Sequence, residues 1–325
     1  MATGILFYGF RHSHINGLYK KAAAAPGVQI VGCVEENEAA RIQAAETLGA
    51  EFTDRTYESW LADPAVTVVA IGNAYAQRGE AMIRALSAGK HVIADKPICT
   101  ELSQLETIGA LAEEKGLVVG CMLDLRYLPQ TQTALRVLSS GELGKVRSIA
   151  FNGQHCLDYE NRPGWYFEPG MHGGTINDIA IHGIDLVRML TGQEFGGIDG
   201  ARTWNAYAYR HPHFMDSAAF LARLEDGAAV MADVSYAAPK TQAPLPSYWE
   251  FRVWCDKGML QFNFAEDTVT IYGNGEPQIL AGTAPDEDYL QEFLRQIETG
   301  CRKMTKNILR STKTALQIQR AAEEG

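Results

Sequence analysis

Residues 4–19, GILFYGFRHSHINGLY, run from a continuous apolar stretch through a turn into the start of an amphipathic pattern. The apolar stretch predicts a strand at 4–9, and the amphipathic pattern predicts a helix at 12–25. The same alternation continues, with further strands predicted at 28–34, 66–71, 90–97 and 117–123 and further helices at 37–49, 77–89 and 101–115. Apolar strands separated by helices indicate a parallel sheet covered on both faces. We therefore predict an α/β, doubly wound Rossmann domain over residues 1–121.

The pattern changes in the remaining residues, 122–325. Alternating apolar and polar positions joined by short turns predict strands near 198–208, 217–224, 228–236, 248–255, 259–263 and 268–273. Helical patterns lie at 129–140, 173–192 and 286–324, and a proline-rich stretch at 240–247 predicts a loop. These elements predict a second domain of the α+β class, with a large and mainly antiparallel sheet.

Composition excludes several classes of function. The chain of 325 residues is 46% hydrophobic and has no apolar run near the ~20 residues that span a bilayer, so we expect no membrane association. Its net charge is −10 and no cluster of Lys and Arg exceeds a pair, which argues against nucleic acid as a partner. Six cysteines without a C-x-x-C pair favour a reducing compartment. We expect a cytoplasmic protein without a targeting segment.

The turn after the first strand is a candidate cofactor loop. The dinucleotide fingerprint places glycines at positions 9, 11 and 14, where this chain has Gly9, Arg11 and His14. A helix N-terminus offers free N–H groups to a phosphate, and the Arg11 side chain could add a charge-assisted contact. We predict that Gly9, Phe10, Arg11 and His14 contact the cofactor. The alternative is a strand-to-helix turn that binds nothing.

Glu35 lies at the predicted end of the second strand. A carboxylate there can accept hydrogen bonds from both ribose hydroxyls and would repel a 2′-phosphate, which favours NAD over NADP. The adjacent Glu36 could be the ribose partner instead, because strand ends are uncertain by a residue or two. A further alternative is that both glutamates only charge the start of a helix.

The stretch GGTINDIAIHGIDLVRMLTG (173–192) sets three ionisable residues among apolar ones. Asp178, His182 and Asp185 stand at i, i+4 and i+7, so a helix would place them on one face. Such a stripe is typical of a solvated helix face, but it also suits a base held beside a carboxylate. A third interpretation is a divalent metal site, completed by His155 or His172.

Two motifs resemble the Gfo/Idh/MocA family of glucose–fructose oxidoreductase and inositol dehydrogenase. AGKHVIADKP (88–97) is similar to the family's A-G-K-H-V-x-x-E-K-P, and residues 172–185 are similar to its G-G-G-x-x-x-D-x-G-x-H-x-x-D. SSGELGKV at 139–146, RYLP at 126–129 and Trp165 are further likenesses. The chain departs from the family at Asp95, which replaces Glu, and at GNAYAQR (72–78), which replaces A-T-P-N-x-x-H.

The resemblance implies a dehydrogenase of sugars or polyols, in which Lys96 reaches the reacting hydroxyl and His182 is the general base. It places Asp178 one helical turn earlier, implies a cis Lys96–Pro97 bond, and implies a homodimer or homotetramer. The chemistry of the side chains agrees, since histidine accepts a proton near neutral pH and a lysine ammonium stabilises a developing alkoxide. A carboxylate at i−4 can orient the imidazole.

The remaining site residues follow from their positions in the predicted fold. Ligands of doubly wound sheets bind at the carboxyl ends of the strands, so we expect Asn73, Asp95, Lys96 and Pro97 to line the cofactor. The residues predicted to contact a small-molecule substrate, a sugar or polyol, are Arg126, His155, Trp165, Asp178 and His182. No metal is assigned. The aromatic residues of 159–167 could instead be core.

Three rival functions remain open from the sequence. A family member with this altered loop could bind a nucleotide or sugar without turnover. A metal site at Asp178, His182 and Asp185 is the second rival. The third is lyase or hydrolase chemistry with tightly held NAD, in which the substrate is oxidised and then reduced again.

Overall fold

The computed structural model describes residues 2–241, 245 and 247–325, so residues 242–244 and 246 of the predicted proline-rich loop lie outside the described residues. Backbone contacts group the chain into two compact units. The first contains the residues up to Met122 together with 163–173 and 289–312, and the second contains the rest. The division into domains at residue 121 stays a prediction.

The first unit is built on a five-stranded sheet in the order β2-β1-β3-β4-β5, in which every pairing is parallel. Its strands are β1 (Thr3–Tyr8), β2 (Val28–Val34), β3 (Val68–Ile71), β4 (His91–Ala94) and β5 (Val119–Cys121). The helices that connect these strands are α1 (His14–Ala24), α2 (Glu38–Leu48), α3 (Tyr57–Leu61), α4 (Tyr75–Ser87) and α5 (Leu102–Glu114). The doubly wound prediction is confirmed.

The ends of these helices follow from local side-chain chemistry. The Asn37 side chain caps α2 by accepting from the Ala40 N–H at 3.0 Å, and Gly49 ends the helix in the left-handed region. The short helix α3, which has no counterpart among the predicted helices, is capped in the same way by Thr56.

The second unit is built on an eight-stranded sheet in the order β13-β12-β11-β10-β6-β9-β8-β7. Only β6 and β9 pair in parallel, which confirms the mainly antiparallel prediction. The strands are β6 (Val146–Gln154), β7 (Phe195–Trp204), β8 (Ser217–Leu224), β9 (Ala229–Ser235), β10 (Phe251–Cys255), β11 (Gly258–Phe262), β12 (Thr268–Tyr272) and β13 (Gln278–Ala281). Helices α6 (Pro129–Ser139) and α7 (Ile181–Thr191) also belong to this unit.

The predicted helix at 173–192 is two elements. A π-helical turn at Ile176–Ala180 precedes α7, which ends at Gly192 with a φ of 68°. Gly183 lets α7 approach β6 closely, because a Cβ there would collide with the Phe151 ring. Asp178 is 1% exposed and His182 is 6% exposed, so the interpretation of the stripe as a solvated face is wrong.

The C-terminal segment predicted as one helix at 286–324 is also two helices, α8 (Tyr289–Thr299) and α9 (Lys303–Glu324). Gly300 separates them with a φ of 67°. No helix in the described part of the chain has the length and apolar content needed to cross a membrane.

Candidate active site

The order of the parallel sheet reverses between β1 and β3, and the turns that follow these two strands lie against each other. Gly9 has a φ of 85°, and a Cβ at this position would lie 2.5 Å from the backbone nitrogen of Asn73. A Cβ at Gly72 would likewise lie 2.5 Å from the Gly9 carbonyl oxygen. Ligands of doubly wound folds bind at such a switch point. Gly9 and Asn73, both predicted from the sequence, therefore meet where a cofactor is expected.

The backbone N–H groups of the loop already have partners. The Phe10 N–H donates to a carboxylate oxygen of Glu35 at 2.5 Å, and the Arg11 N–H donates to the Gly72 carbonyl at 3.0 Å. The other Glu35 oxygen accepts from the Asn37 N–H at 2.7 Å. Glu35 is thus held at the end of β2 and shapes the loop. At the start of α1, the Ile15 and Asn16 N–H groups also donate within the protein, to the His12 and Ser13 carbonyls at 3.3 and 3.1 Å.

Glu36, the alternative ribose partner, accepts a hydrogen bond from the Tyr8 hydroxyl at 3.0 Å. Burial, together with this carboxylate, raises the pKa of Tyr8 to about 12. The Tyr8 ring stacks on Tyr57 with 3.8 Å between centroids. Glu36 is therefore tied into the packing of the first unit.

A buried guanidinium organises the ends of β3 and β4. Arg78 is fully buried; its Nε donates to the Asn73 carbonyl at 2.8 Å, and an Nη donates to the Lys96 carbonyl at 2.6 Å. Its other Nη donates to Asp95 at 2.8 Å. Sequence reasoning missed this residue, although Arg78 stands where the family motif compared above has histidine. The Lys96–Pro97 bond is cis, as the resemblance implied.

Asp95 is the carboxylate at the centre of this region. Its Oδ2 lies 2.6 Å from His12 Nδ1, and its Oδ1 lies 3.3 Å from His14 Nδ1. Burial alone would raise the pKa of Asp95, but Arg78 and the two histidines outweigh it and hold that pKa well below its usual range. Burial lowers the pKa of His12 to about 4. Asp95 is therefore ionised and His12 neutral at pH 7.

Trp165 lies in the first unit, beside the loop that follows β1. Its indole N–H donates to the Arg11 carbonyl at 3.1 Å, and Trp165 is 2% exposed. The neighbouring Tyr166 hydroxyl lies 3.0 Å from the Tyr75 hydroxyl, which lies 3.2 Å from His12 Nε2. The burial of Trp165 supports the alternative in which these aromatic residues are core, while its use as a substrate contact stays a prediction.

In the second unit, the predicted residues gather around Tyr236 and Trp249. The Tyr236 hydroxyl donates a short hydrogen bond to Asp178. The Trp249 ring meets the His182 ring edge-on at 5.7 Å. The His155 ring lies beside both aromatic rings, with its centroid 6.4 Å from that of Tyr236 and 6.0 Å from that of Trp249. His155 thus shares Tyr236 with Asp178 and Trp249 with His182, and the sequence did not reveal either aromatic residue.

Two charged residues that follow β5, Asp124 and Arg126, each lie against a residue of α7. Asp124 places a carboxylate oxygen 4.0 Å from His182 Nδ1 and is itself 64% exposed. Arg126, predicted to contact substrate, forms a bidentate ion pair with Asp185, with Nη2 at 2.8 Å from Oδ1. Asp185 thus holds the Arg126 guanidinium in place, and substrate contact by Arg126 stays a prediction.

The site fits a dinucleotide on structural grounds. Gly9 lets the turn after β3 pack closely against the loop after β1, and the Asn73 Oδ1 is buried without a hydrogen-bond partner among the described residues, so it can accept a bond from a ligand. A parallel sheet in this order, with such a switch point, is that of a doubly wound α/β protein whose ligand binds beside these turns.

Comparison with known families narrows this class. Residues 7–122 match the profile described as "Oxidoreductase family, NAD-binding Rossmann fold", and residues 131–261 match the "GFO/IDH/MocA C-terminal domain". The chain belongs to the GFO/IDH/MocA oxidoreductase family.

Several known proteins are similar to this chain. The levoglucosan dehydrogenase of Pseudarthrobacter phenanthrenivorans is 28% identical over 189 residues, which cover 56% of this chain and 47% of that protein. The scyllo-inositol 2-dehydrogenase (NAD(+)) of Bacillus subtilis is 27% identical over 219 residues, covering 66% and 62%. The chain thus spans about half to three fifths of the length of these relatives. The aldose-aldose oxidoreductase structure from Caulobacter crescentus has a TM-score of 0.82 at 19% identity, covering 100% of this chain and 98% of that one, and shows the same fold.

Proposed function

We propose that this protein is a nicotinamide-dependent oxidoreductase that transfers a hydride between the cofactor and a secondary hydroxyl of a sugar or polyol. Family membership supports the reaction class, and the two named dehydrogenases support the substrate class. We further propose a cytoplasmic homodimer or homotetramer, in keeping with six free cysteines.

The observation that carries the proposal is the buried His182. Charging an imidazole that is 6% exposed and packed against Trp249 costs desolvation free energy. A titratable side chain in such a position is therefore a candidate for a functional role. Such a group can accept the hydroxyl proton as the carbon–hydrogen bond is broken. Asp124, at 4.0 Å, would stabilise the imidazolium that forms.

Asp178 and Lys96 have supporting roles in this proposal. Asp178 is fixed by the Tyr236 hydroxyl, and it contributes a negative charge one turn before His182. Lys96, 3% exposed and held by the Arg78 contact to its carbonyl, would stabilise the alkoxide through its ammonium group. The nicotinamide, when bound, accepts the hydride.

The test begins with a substrate screen. Levoglucosan, scyllo-inositol and related polyols are offered with NAD, and nicotinamide reduction is followed by absorbance. With a substrate in hand, His182→Asn should lower turnover by roughly 10²–10⁴ while leaving NAD affinity unchanged, which is the usual worth of a general base. His213→Asn, an exposed histidine of the same unit, is the matched control. Near-wild-type turnover in His182→Asn would refute its role as base.

The supporting residues are tested by combining variants. Asp178→Asn should lower turnover, and the double variant with His182→Asn should be little worse than the single one, because residues that act as a unit are not additive. Lys96→Met should lower turnover independently of both. Full additivity of Asp178→Asn with His182→Asn would show that the two act separately.

We propose NAD as the preferred cofactor. The Glu35 carboxylate is held at the end of β2 by two backbone N–H groups, and a fixed negative charge there would repel a 2′-phosphate. NAD should bind at least about tenfold more tightly than NADP, about 1.4 kcal/mol, in calorimetric titration. Glu35→Gln should narrow this gap, whereas Glu36→Gln, the adjacent control, should not. Equal affinities in the wild type would refute the assignment.

One observation favours a second candidate, a member of the family that binds without turnover. The Phe10 and Arg11 N–H groups are engaged within the protein, and Glu35 already has two partners. A dinucleotide would have to share or replace these bonds. If NAD binds but no polyol of the screen reduces it, this second candidate is favoured. If lyase or hydrolase products form without net reduction of the cofactor, the rival with tightly held NAD is favoured instead.

A further inference from the structure

We propose that His12, His14 and Asp95 form a binding site for a divalent transition-metal ion of the Zn²⁺ type. His12 lies in the loop after β1, His14 begins α1, and Asp95 follows β4. One ligand atom from each residue lies within 4.8 Å of the others. This set shares no residue with the metal site that the sequence suggested at Asp178, His182 and Asp185. Metal binding by these three residues can be measured whether or not the protein turns over a substrate.

The separations of the ligand atoms suit a small tetrahedral ion. Zn–N and Zn–O bonds of about 2.1 Å place neighbouring ligand atoms roughly 3.4 Å apart. His14 Nδ1 is already 3.3 Å from Asp95 Oδ1. His12 Nδ1, now 2.6 Å from Oδ2, has to move away from that oxygen to reach the same separation.

One oxygen of the Asp95 carboxylate accepts no hydrogen bond from the described residues and faces only the His14 imidazole, at 3.3 Å. Asp95 is fully buried, and its Oδ1 forms no hydrogen bond within the described part of the chain. Leaving a buried acceptor unsatisfied costs free energy that a bound cation would recover. Arg78 holds Oδ2 at 2.8 Å and so orients the carboxylate with Oδ1 toward His14.

The hydrogen bonds around His12 permit the change of tautomer that ligation requires. His12 Nδ1 must give up its hydrogen bond to Asp95 and present a lone pair. The proton then resides on Nε2, which lies 3.2 Å from the Tyr75 hydroxyl. Tyr75 lies 3.0 Å from the Tyr166 hydroxyl, and either hydroxyl can donate or accept. The proton of His12 therefore shifts between its own nitrogens, and the imidazole remains neutral.

The ligand set selects the kind of ion. Two imidazoles and one carboxylate suit Zn²⁺ and Co²⁺, whereas Mg²⁺ and Ca²⁺ prefer oxygen ligands. Three protein ligands leave a fourth position for water or an anion. The His14 side chain is 46% exposed, which gives the ion a path of entry.

The test is metal titration of the intact protein after treatment with chelator and dialysis. Calorimetry with ZnCl₂ should show one site per chain, and Co²⁺ should give the visible absorption of a tetrahedral complex. His14→Asn should weaken Zn²⁺ binding at least about tenfold. His213→Asn, also an exposed histidine, should bind as the wild type does.

A folding control distinguishes the loss of a metal ligand from the loss of structure. Because His14 is half exposed, its variant should retain the wild-type circular dichroism and melting temperature, and a loss of binding is then a loss of a ligand. Absence of stoichiometric Zn²⁺ binding, unchanged affinity in His14→Asn, or displacement of Co²⁺ by equimolar Mg²⁺ would each overturn the proposal.

Discussion

The close approach of the turns after β1 and β3 predicts a large cost for one added methyl group. In Gly9→Ala, the new Cβ lies 2.5 Å from the Asn73 backbone nitrogen, and the backbone stays at a φ of 85°. The left-handed conformation costs roughly 1–2 kcal/mol for an L-residue. Overpacking against a main chain that cannot move aside adds roughly 1–3 kcal/mol. The free energy of unfolding should fall by roughly 2–5 kcal/mol.

Gly27→Ala separates the two contributions. Gly27 has a φ of 75°, but a Cβ there meets nothing within 4 Å, so only the backbone cost of roughly 1–2 kcal/mol applies. Urea denaturation followed by circular dichroism measures both variants against the wild type. Gly9→Ala should also weaken NAD binding, whereas Gly27→Ala should not. Equal loss of stability in the two variants would refute the close contact between the turns that follow β1 and β3.

Two further predictions concern the second unit and acid stability. Gly153→Ala places a Cβ 2.7 Å from the Trp249 ring and should lower both turnover and the free energy of unfolding. Gly200→Ala, where a Cβ meets nothing within 4 Å, should change neither quantity. Enzyme assay and urea denaturation measure the two variants, and equal effects would contradict the packing of Gly153 against Trp249. Because burial lowers the pKa of His12 from 6.5 to about 4, the unfolded chain binds a proton that the folded protein does not, and the stability is lost as the pH falls. Between pH 7 and pH 5 this should cost about 2 kcal/mol, measured by urea denaturation with chelator present. His12→Asn should lack that part of the pH dependence, and an unchanged dependence would contradict the assigned pKa.

Much of the fold could be predicted from the sequence because its strands are continuously apolar or strictly alternating. β2 and β8 begin and end at the predicted residues, 28–34 and 217–224. β13 was missed because its exposed residues, QILA, form an edge without an alternating pattern. The break at Gly300 was missed because a glycine inside a helical pattern is also tolerated.

The candidate site was predictable where a residue stands in a motif. Gly9 and Glu35 could be placed from the order of strands alone. Arg78 could not, because its role depends on carbonyl and carboxylate groups from two loops, the one after β3 and the one after β4. Tyr236 and Trp249 could not either, since each comes from a segment far along the chain from the residue it contacts.

The most direct test of the central claim, hydride transfer from a sugar or polyol to a nicotinamide, follows the hydrogen itself. Levoglucosan or scyllo-inositol deuterated at its carbinol carbons is incubated with the enzyme and NAD, and the cofactor is recovered for mass spectrometry. The proposed function predicts that each NADH formed carries one deuterium and that a ketone forms in equal amount. Ketone formation with an unlabelled cofactor, or no reduction of NAD by any polyol of the screen at enzyme concentrations equal to those of NAD, would contradict it.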